Sequence, residues 1–174
     1  LGQGAQPIIS YNYGAKNAER VKETFRYLLL VSLTISALFW AFLMAFPGGF
    51  ARIFTSDETL INHLIIPARI YAASIGLFGI QIACQQTFTA IGDAKSSLAA
   101  AIMRKFILLI PLIYVLPLLW KDNPEYAVYL AEPISDFLAV SFTSVLFYVQ
   151  SKKAMKRIEN PEKMTLSQEE ASKK

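Results

Sequence analysis

Glu132 and Asp136 stand four residues apart inside a stretch, Ala127 to Gln150, that is otherwise free of charge. A spacing of four places both carboxyls on one helix face. If the stretch crosses a bilayer, each acid costs about 2.5 to 3.5 kcal/mol on insertion scales, and acids so placed mark ion or substrate paths by default. Counted inward from Ala127, Glu132 lies about 7 Å and Asp136 about 13 Å below the boundary, the latter near the midplane. A carboxyl there that gains a proton on one side, loses it on the other and competes for it with a cationic ligand has the minimal chemistry of antiport. Pro133, between the acids, has no N–H and opens a helical carbonyl to the same cavity. The structural alternative is a pair hydrogen-bonded to a neighbouring helix.

The elements that must position these acids are apolar runs. Of 174 residues, 54% are hydrophobic and 17% charged, with a mean hydropathy of +0.38, against about 25% charged in an average soluble domain. A transmembrane helix needs about 20 predominantly apolar residues. Tyr27 to Phe46 and Ile70 to Gly92 contain no charge, Phe106 to Trp120 extends inward past Arg104 and Lys105, and Ala127 to Gln150 holds only the two acids. No polar stripe at helical spacing marks any of them as a soluble amphipathic helix. The expected fold is therefore an all-α membrane protein with four spans, at about 27–46, 58–91, 97–119 and 127–150. Leu1 to Tyr13 reads as the end of a fifth, so the sequence is expected to begin inside a longer chain.

Basic residues concentrate in cytoplasmic loops of membrane proteins. Lys16, Arg20, Lys22 and Arg26 precede the first span; Lys95, Arg104 and Lys105 surround the turn between the second and third; Lys152, Lys153, Lys156 and Arg157 follow the fourth. Arg52 and Lys121 alone occupy the opposite loops, beside Asp57, Glu58, Asp122 and Glu125. The implied topology ends with a cytoplasmic C-terminus in a cell (inner or plasma) membrane. The net charge of +4 is then explained by anchors to anionic membrane lipids, and no groove-reading motif suggests nucleic acid.

Punctuation fits these elements. Gly14 permits a positive-φ turn and Asn17 can cap the next helix, with surface pairs Glu19–Lys22 and Glu23–Arg26 expected beyond it. Pro47-Gly48-Gly49 stops the first span. Phe50 to Phe54 suggests an interfacial segment, and Thr55 with Glu58 suggests a capping box opening a helix from Ser56 to Ile91. At about 50 Å that helix must tilt or bend, with Pro67 the expected kink, and Gly76 and Gly79 admit a close neighbour. Ser96 or Ser97 is expected to cap the third span, Lys121 to Pro124 to form a turn, and 159–174 to be a disordered cytoplasmic tail.

Other side chains offer weaker chemistry. Arg69, at a depth similar to Glu132, could form an ion pair with it that closes the outer end of a cavity, or snorkel to the interface. Gln81 and Gln85 share a face on which amides could bind a substrate or another helix. His63 is expected to be solvated, and the one cysteine, Cys84, to be a small buried hydrophobe. No His or Cys cluster predicts a metal, no serine has a base and no glycine loop predicts a nucleotide, so no cofactor and no enzyme activity are expected.

The segment Gly4-Ala-Gln-Pro-Ile-Ile-Ser-Tyr-Asn-Tyr-Gly-Ala-Lys-Asn17, followed by Arg20-Val21, closely resembles the multidrug and toxic compound extrusion family. Phe46-Pro47 through Phe54-Thr55, Gln86 to Ser97 and Glu132-Pro-Ile-Ser-Asp136 are similar to that family's later segments, so that the resemblance covers about residues 1–158. It implies a twelve-helix transporter of two six-helix lobes, with this chain the end of the second lobe and the N-terminal lobe a missing partner. It also implies export of lipophilic, often cationic small molecules by alternating access, in exchange for protons or sodium ions. Members often hold the coupling ion with acids in the first, seventh, eighth or tenth helix. The span corresponding to the tenth has none here, which leaves Asp136 and Glu132 as the candidate ion site. The competing readings are a lipid-linked oligosaccharide flippase of the same superfamily, which would want a basic cavity, and a non-transporting membrane scaffold.

Overall fold

A computed structural model describes residues 2–121 and 124–159, and every regular element among them is a helix. In chain order these are α1 (Gly2–Gly14), α2 (Ala18–Ala45), α3 (Pro47–Ala51), α4 (Glu58–Ala72), a 3-10 turn (Ile75–Leu77), α5 (Phe78–Ala90), α6 (Ala94–Ile102), a π-helical segment (Met103–Leu109), α7 (Ile110–Leu119) and α8 (Pro124–Glu159). Four stretches are long and apolar enough to cross a membrane: Ala18–Ala45, Glu58–Ala90, Ala94–Leu119 and Pro124–Glu159. Large apolar side chains such as Leu38, Phe106, Leu118 and Val145 are exposed on them, as surfaces facing lipid require. Asp122, Asn123 and the expected tail from 160 onward lie outside the described residues, while Glu159, expected to begin that tail, ends α8.

The small core explains the packing. Ile9 of α1, Val21 and Leu28 of α2 and Ala83 and Ala90 of α5 form one buried cluster. Helix α5 lies nearly backbone to backbone on α2, because a Cβ at Gly79 would stand 2.6 Å from the Leu33 nitrogen. Gly76, one turn away, faces the Trp40 ring at 3.5 Å, an ordinary contact. Cys84 is buried and free.

Local chemistry departs from the sequence reading at several ends. Asn17 does cap α2, accepting from the Arg20 N–H, but the positive φ of that turn falls on Lys16, at 58°, rather than on Gly14. Helix α4 is capped by Asp57, which accepts from Thr59 and Leu60; Glu58 turns away to Arg52 at 3.0 Å, so the Thr55–Glu58 capping box does not form. The long second span bends at Ala73–Leu77, not at Pro67, which sits inside α4. In place of Glu19–Lys22 and Glu23–Arg26, the first charged turn pairs Arg20 with Glu23 at 3.8 Å and Lys22 with Glu159 at 2.9 Å. A capping carboxylate also replaces the expected serine at α6, where Asp93 accepts from the Ser96 N–H and, at 2.7 Å, from its hydroxyl. Asp93→Ala is expected to cost about 1 kcal/mol, read as a lowered thermal midpoint of the detergent-solubilised protein. No change would show that α6 gains nothing from its cap.

Candidate functional site

The bend in the second span, the π-helical segment of the third and the middle of α8 meet around Asp136. Its carboxylate is 3% exposed; one oxygen accepts from the Arg104 Nε at 2.6 Å and the other from the Ser74 hydroxyl at 2.8 Å. Glu132, one turn along α8, lies 3.8 Å from an Arg104 terminal nitrogen and 3.5 Å from the Lys105 ammonium. The Arg104 guanidinium is covered by the Phe78 ring, 4.3 Å from its centroid, a contact that desolvation strengthens. At 1.5 Å per residue Arg104 is about 15 Å from the start of its span at Ala94, so the four charges share the interior of the membrane.

Sequence explains each placement. Pro111 has no N–H to offer the preceding turn. Just before it the helix widens, and the Ile110 N–H reaches the Lys105 carbonyl five residues back. Widened turns of this type occur mostly at functional sites. The Arg104 carbonyl there accepts the Ser135 hydroxyl at 3.1 Å, which fixes α8 against the segment that carries the guanidinium. Ser74 is free to reach Asp136 because it stands in the bend, between α4 and the 3-10 turn.

Of the residues singled out from sequence, Asp136 and Glu132 are brought together and Arg69, Gln81 and Gln85 are not part of their cluster. The Arg69–Glu132 pair does not form: Arg69 is exposed and in no ion pair among the described residues, its length sufficing to reach the interface. Arg104 and Lys105 were grouped with the basic turn and instead neutralise the acids inside the span. The signal was present in the third run. Its charge-free residues, 106–120, extend only about 22 Å, short of the roughly 30 Å to be crossed, so the two cations had to lie within it. Ser74 carried no such signal.

Gln81 is buried beside no partner: its amide oxygen and nitrogen, with the hydroxyls of Ser32 and Thr143, are enclosed without a hydrogen bond among the described residues. Neighbouring hydroxyls, Thr34, Thr87, Ser141 and Ser144, instead donate to carbonyls of their own helices. Gln85 is half-buried, its carbonyl accepting from the Thr89 hydroxyl. Among the described residues no three His, Cys, Asp or Glu side chains converge on a metal position.

With two acids against two bases the cluster is formally neutral. A proton or cation that loads Asp136 must therefore compete with a guanidinium already in place, and its arrival loosens the tie between α8 and the third span.

Comparison with known proteins gives concordant results. The family model for MatE matches residues 1–115. The solved structure of the MATE multidrug transporter DinF-BH in complex with rhodamine 6G superposes with a TM-score of 0.76 at 35% identity, over 84% of this chain and 32% of that one. An inward-facing multidrug resistance MATE family transporter of the MOP superfamily superposes with a TM-score of 0.80 at 19% identity, over 89% and 36%, a likeness of fold. The chain thus spans about a third of the length of the structures it matches. No curated protein matches it.

Proposed function

The chain belongs to the MatE family, the multidrug and toxic compound extrusion transporters, and from that premise we propose that it forms part of an efflux transporter that exchanges lipophilic, often cationic compounds for protons or sodium ions. The family assignment and the complex of one relative with rhodamine 6G support the substrate class. The asymmetric distribution of Lys and Arg supports a cytoplasmic placement of the basic end, with α8 leading to a cytoplasmic C-terminus in the cell membrane.

The observation that carries the coupling reading is the buried Arg104–Asp136–Ser74 junction, where three spans are held by one carboxylate. Loading Asp136 with a proton or a cation weakens its bond to Arg104, and unloading restores it. An element with two such arrangements lets the ion bias an alternating-access equilibrium, provided that the ion binds one arrangement better. On this reading Arg104, not Arg69, is the residue that answers the ion. The acids with their two cations leave no net positive cavity of the kind a flippase for lipid-linked oligosaccharides would want.

Export of rhodamine 6G by the full-length protein in vesicles, driven separately by a proton and a sodium gradient, tests the reading. Asp136→Asn is expected to slow gradient-driven export at least tenfold while binding of the dye persists. Unchanged export with unchanged ion dependence would sink the coupling role and leave the junction structural.

A further inference from the structure

At the basic end, α2, α5 and α8 enclose a cavity of about 720 Å³ that the coupling reading does not use. Its rim carries Lys22 and Arg26 from α2 and Lys152 and Lys156 from α8, against one acid, Glu159. Each pair is spaced by four, so both cations of a pair lie on one face and repel, a small penalty for either helix alone. Folding brings the two pairs to one cavity. Glu159 takes up Lys22 at 2.9 Å and the Tyr148 ring lies under Lys152 at 4.1 Å. Arg26 and Lys156 are in no ion pair among the described residues.

The floor has the opposite character. Phe25 and Phe147 stack there with centroids 4.4 Å apart, and Phe88 meets Phe147 edge-on at 5.4 Å. The level in the membrane is fixed by sequence: Arg26 immediately precedes the charge-free run that opens at Tyr27, and Lys152 stands two residues after Gln150 closes the last one. The cavity therefore sits where hydrocarbon gives way to headgroups, with cations at the rim and aromatic rings towards the hydrocarbon. A small soluble anion would use the rim and leave the aromatic wall uncovered. An amphiphile with a phosphodiester head uses both, and basic pockets between spans bind such heads.

We propose that this cavity is a binding site for an anionic phospholipid, its phosphodiester held by Arg26 and Lys156 and its glycerol and first acyl carbons against Phe25 and Phe147. The test uses the full-length transporter in nanodiscs of phosphatidylcholine alone or with one third phosphatidylglycerol, and reads the thermal midpoint and the lipids retained in native mass spectrometry. Phosphatidylglycerol is expected to raise the midpoint of the parent and to remain bound. Arg26→Gln/Lys156→Gln is expected to lose at least half of that rise, while Lys16→Gln/Arg20→Gln, equal in charge but outside the cavity, keeps it.

Equal losses in the two double variants would overturn the proposal in favour of a diffuse surface attraction. An equal rise from glycerol phosphate in phosphatidylcholine discs would overturn it in favour of a soluble anion. No dependence on phosphatidylglycerol at all would overturn it outright. Should the glutamine pair fail to fold, Arg26→Lys/Lys156→Arg supplies the reading: it preserves charge and is expected to keep the rise, and its loss would likewise count against the site.

Discussion

Arg104→Ala is expected to lower the unfolding free energy of the transporter by about 3 to 5 kcal/mol, the range for removing one partner of a buried ion pair. The guanidinium is the nearest cation to Asp136, at 2.6 Å, and both side chains are largely enclosed, 18% and 4% exposed. Without it, Asp136 is a charge in a low-dielectric interior with only the Ser74 hydroxyl to accept from. Most of the loss therefore belongs to the stranded carboxylate rather than to the missing attraction. Arg104→Ala/Asp136→Asn is expected to recover much of it, since the charge left behind is then removed too. Arg52→Ala provides the contrast, because its partner Glu58 is 65% exposed and exposed pairs contribute about 0 to 1 kcal/mol. Reversible unfolding in mixed micelles measures all three. Equal effects at positions 104 and 52, or a double variant weaker than both singles combined, would remove the basis for a charge junction.

The second large effect is expected at Gly79. A Cβ there would meet backbone at 2.6 and 2.7 Å, the Leu33 nitrogen and α-carbon and the Ser32 carbonyl carbon, and backbone cannot rotate aside as a flexible side chain can. Helices α2 and α5 would have to part. Gly79→Ala is expected to cost about 1 to 3 kcal/mol, the range for an overfilled contact, and Gly79→Leu to prevent assembly of the pair. Gly76→Ala meets only the Trp40 ring at 3.5 Å and should be tolerated. The readout is the folded fraction on gel filtration in detergent; similar behaviour of the two alanine variants would mean that the helices do not approach as closely as described.

How much of this could be read from sequence follows from the length scale of each feature. The spans were legible because bilayer thickness sets the length of an apolar run, and a run is a property of consecutive residues. The Asn17 cap was legible for the same reason, since its acceptor and donor are three residues apart. The shared face of Glu132 and Asp136 needed only helical spacing. Their partner did not follow, because it depends on how the third span is rotated about its axis, and that rotation is set by the wide turn before Pro111. The bend at Ser74 has no proline and no glycine at its first residue to announce it. Asp57 displaced the expected Thr55–Glu58 box because an Asp adjacent to the first turn reaches two N–H groups, while Glu58 found a cation at Arg52. The hydroxyls of Ser32 and Thr143 look in sequence like any others in a span, and only the packing around them shows that they stay without partners.

The charge junction also bears on how the protein is made. Synthesis delivers Arg104 and Lys105 to the membrane before Glu132 and Asp136 exist, and each uncompensated charge near the centre of a span raises the cost of insertion by about 2.5 to 3.5 kcal/mol. The stretch Ala94–Leu119 is therefore poorly suited to leave the translocon by itself. It is better served by waiting at the lateral gate until the next span emerges, so that the two enter the lipid as a neutral hairpin.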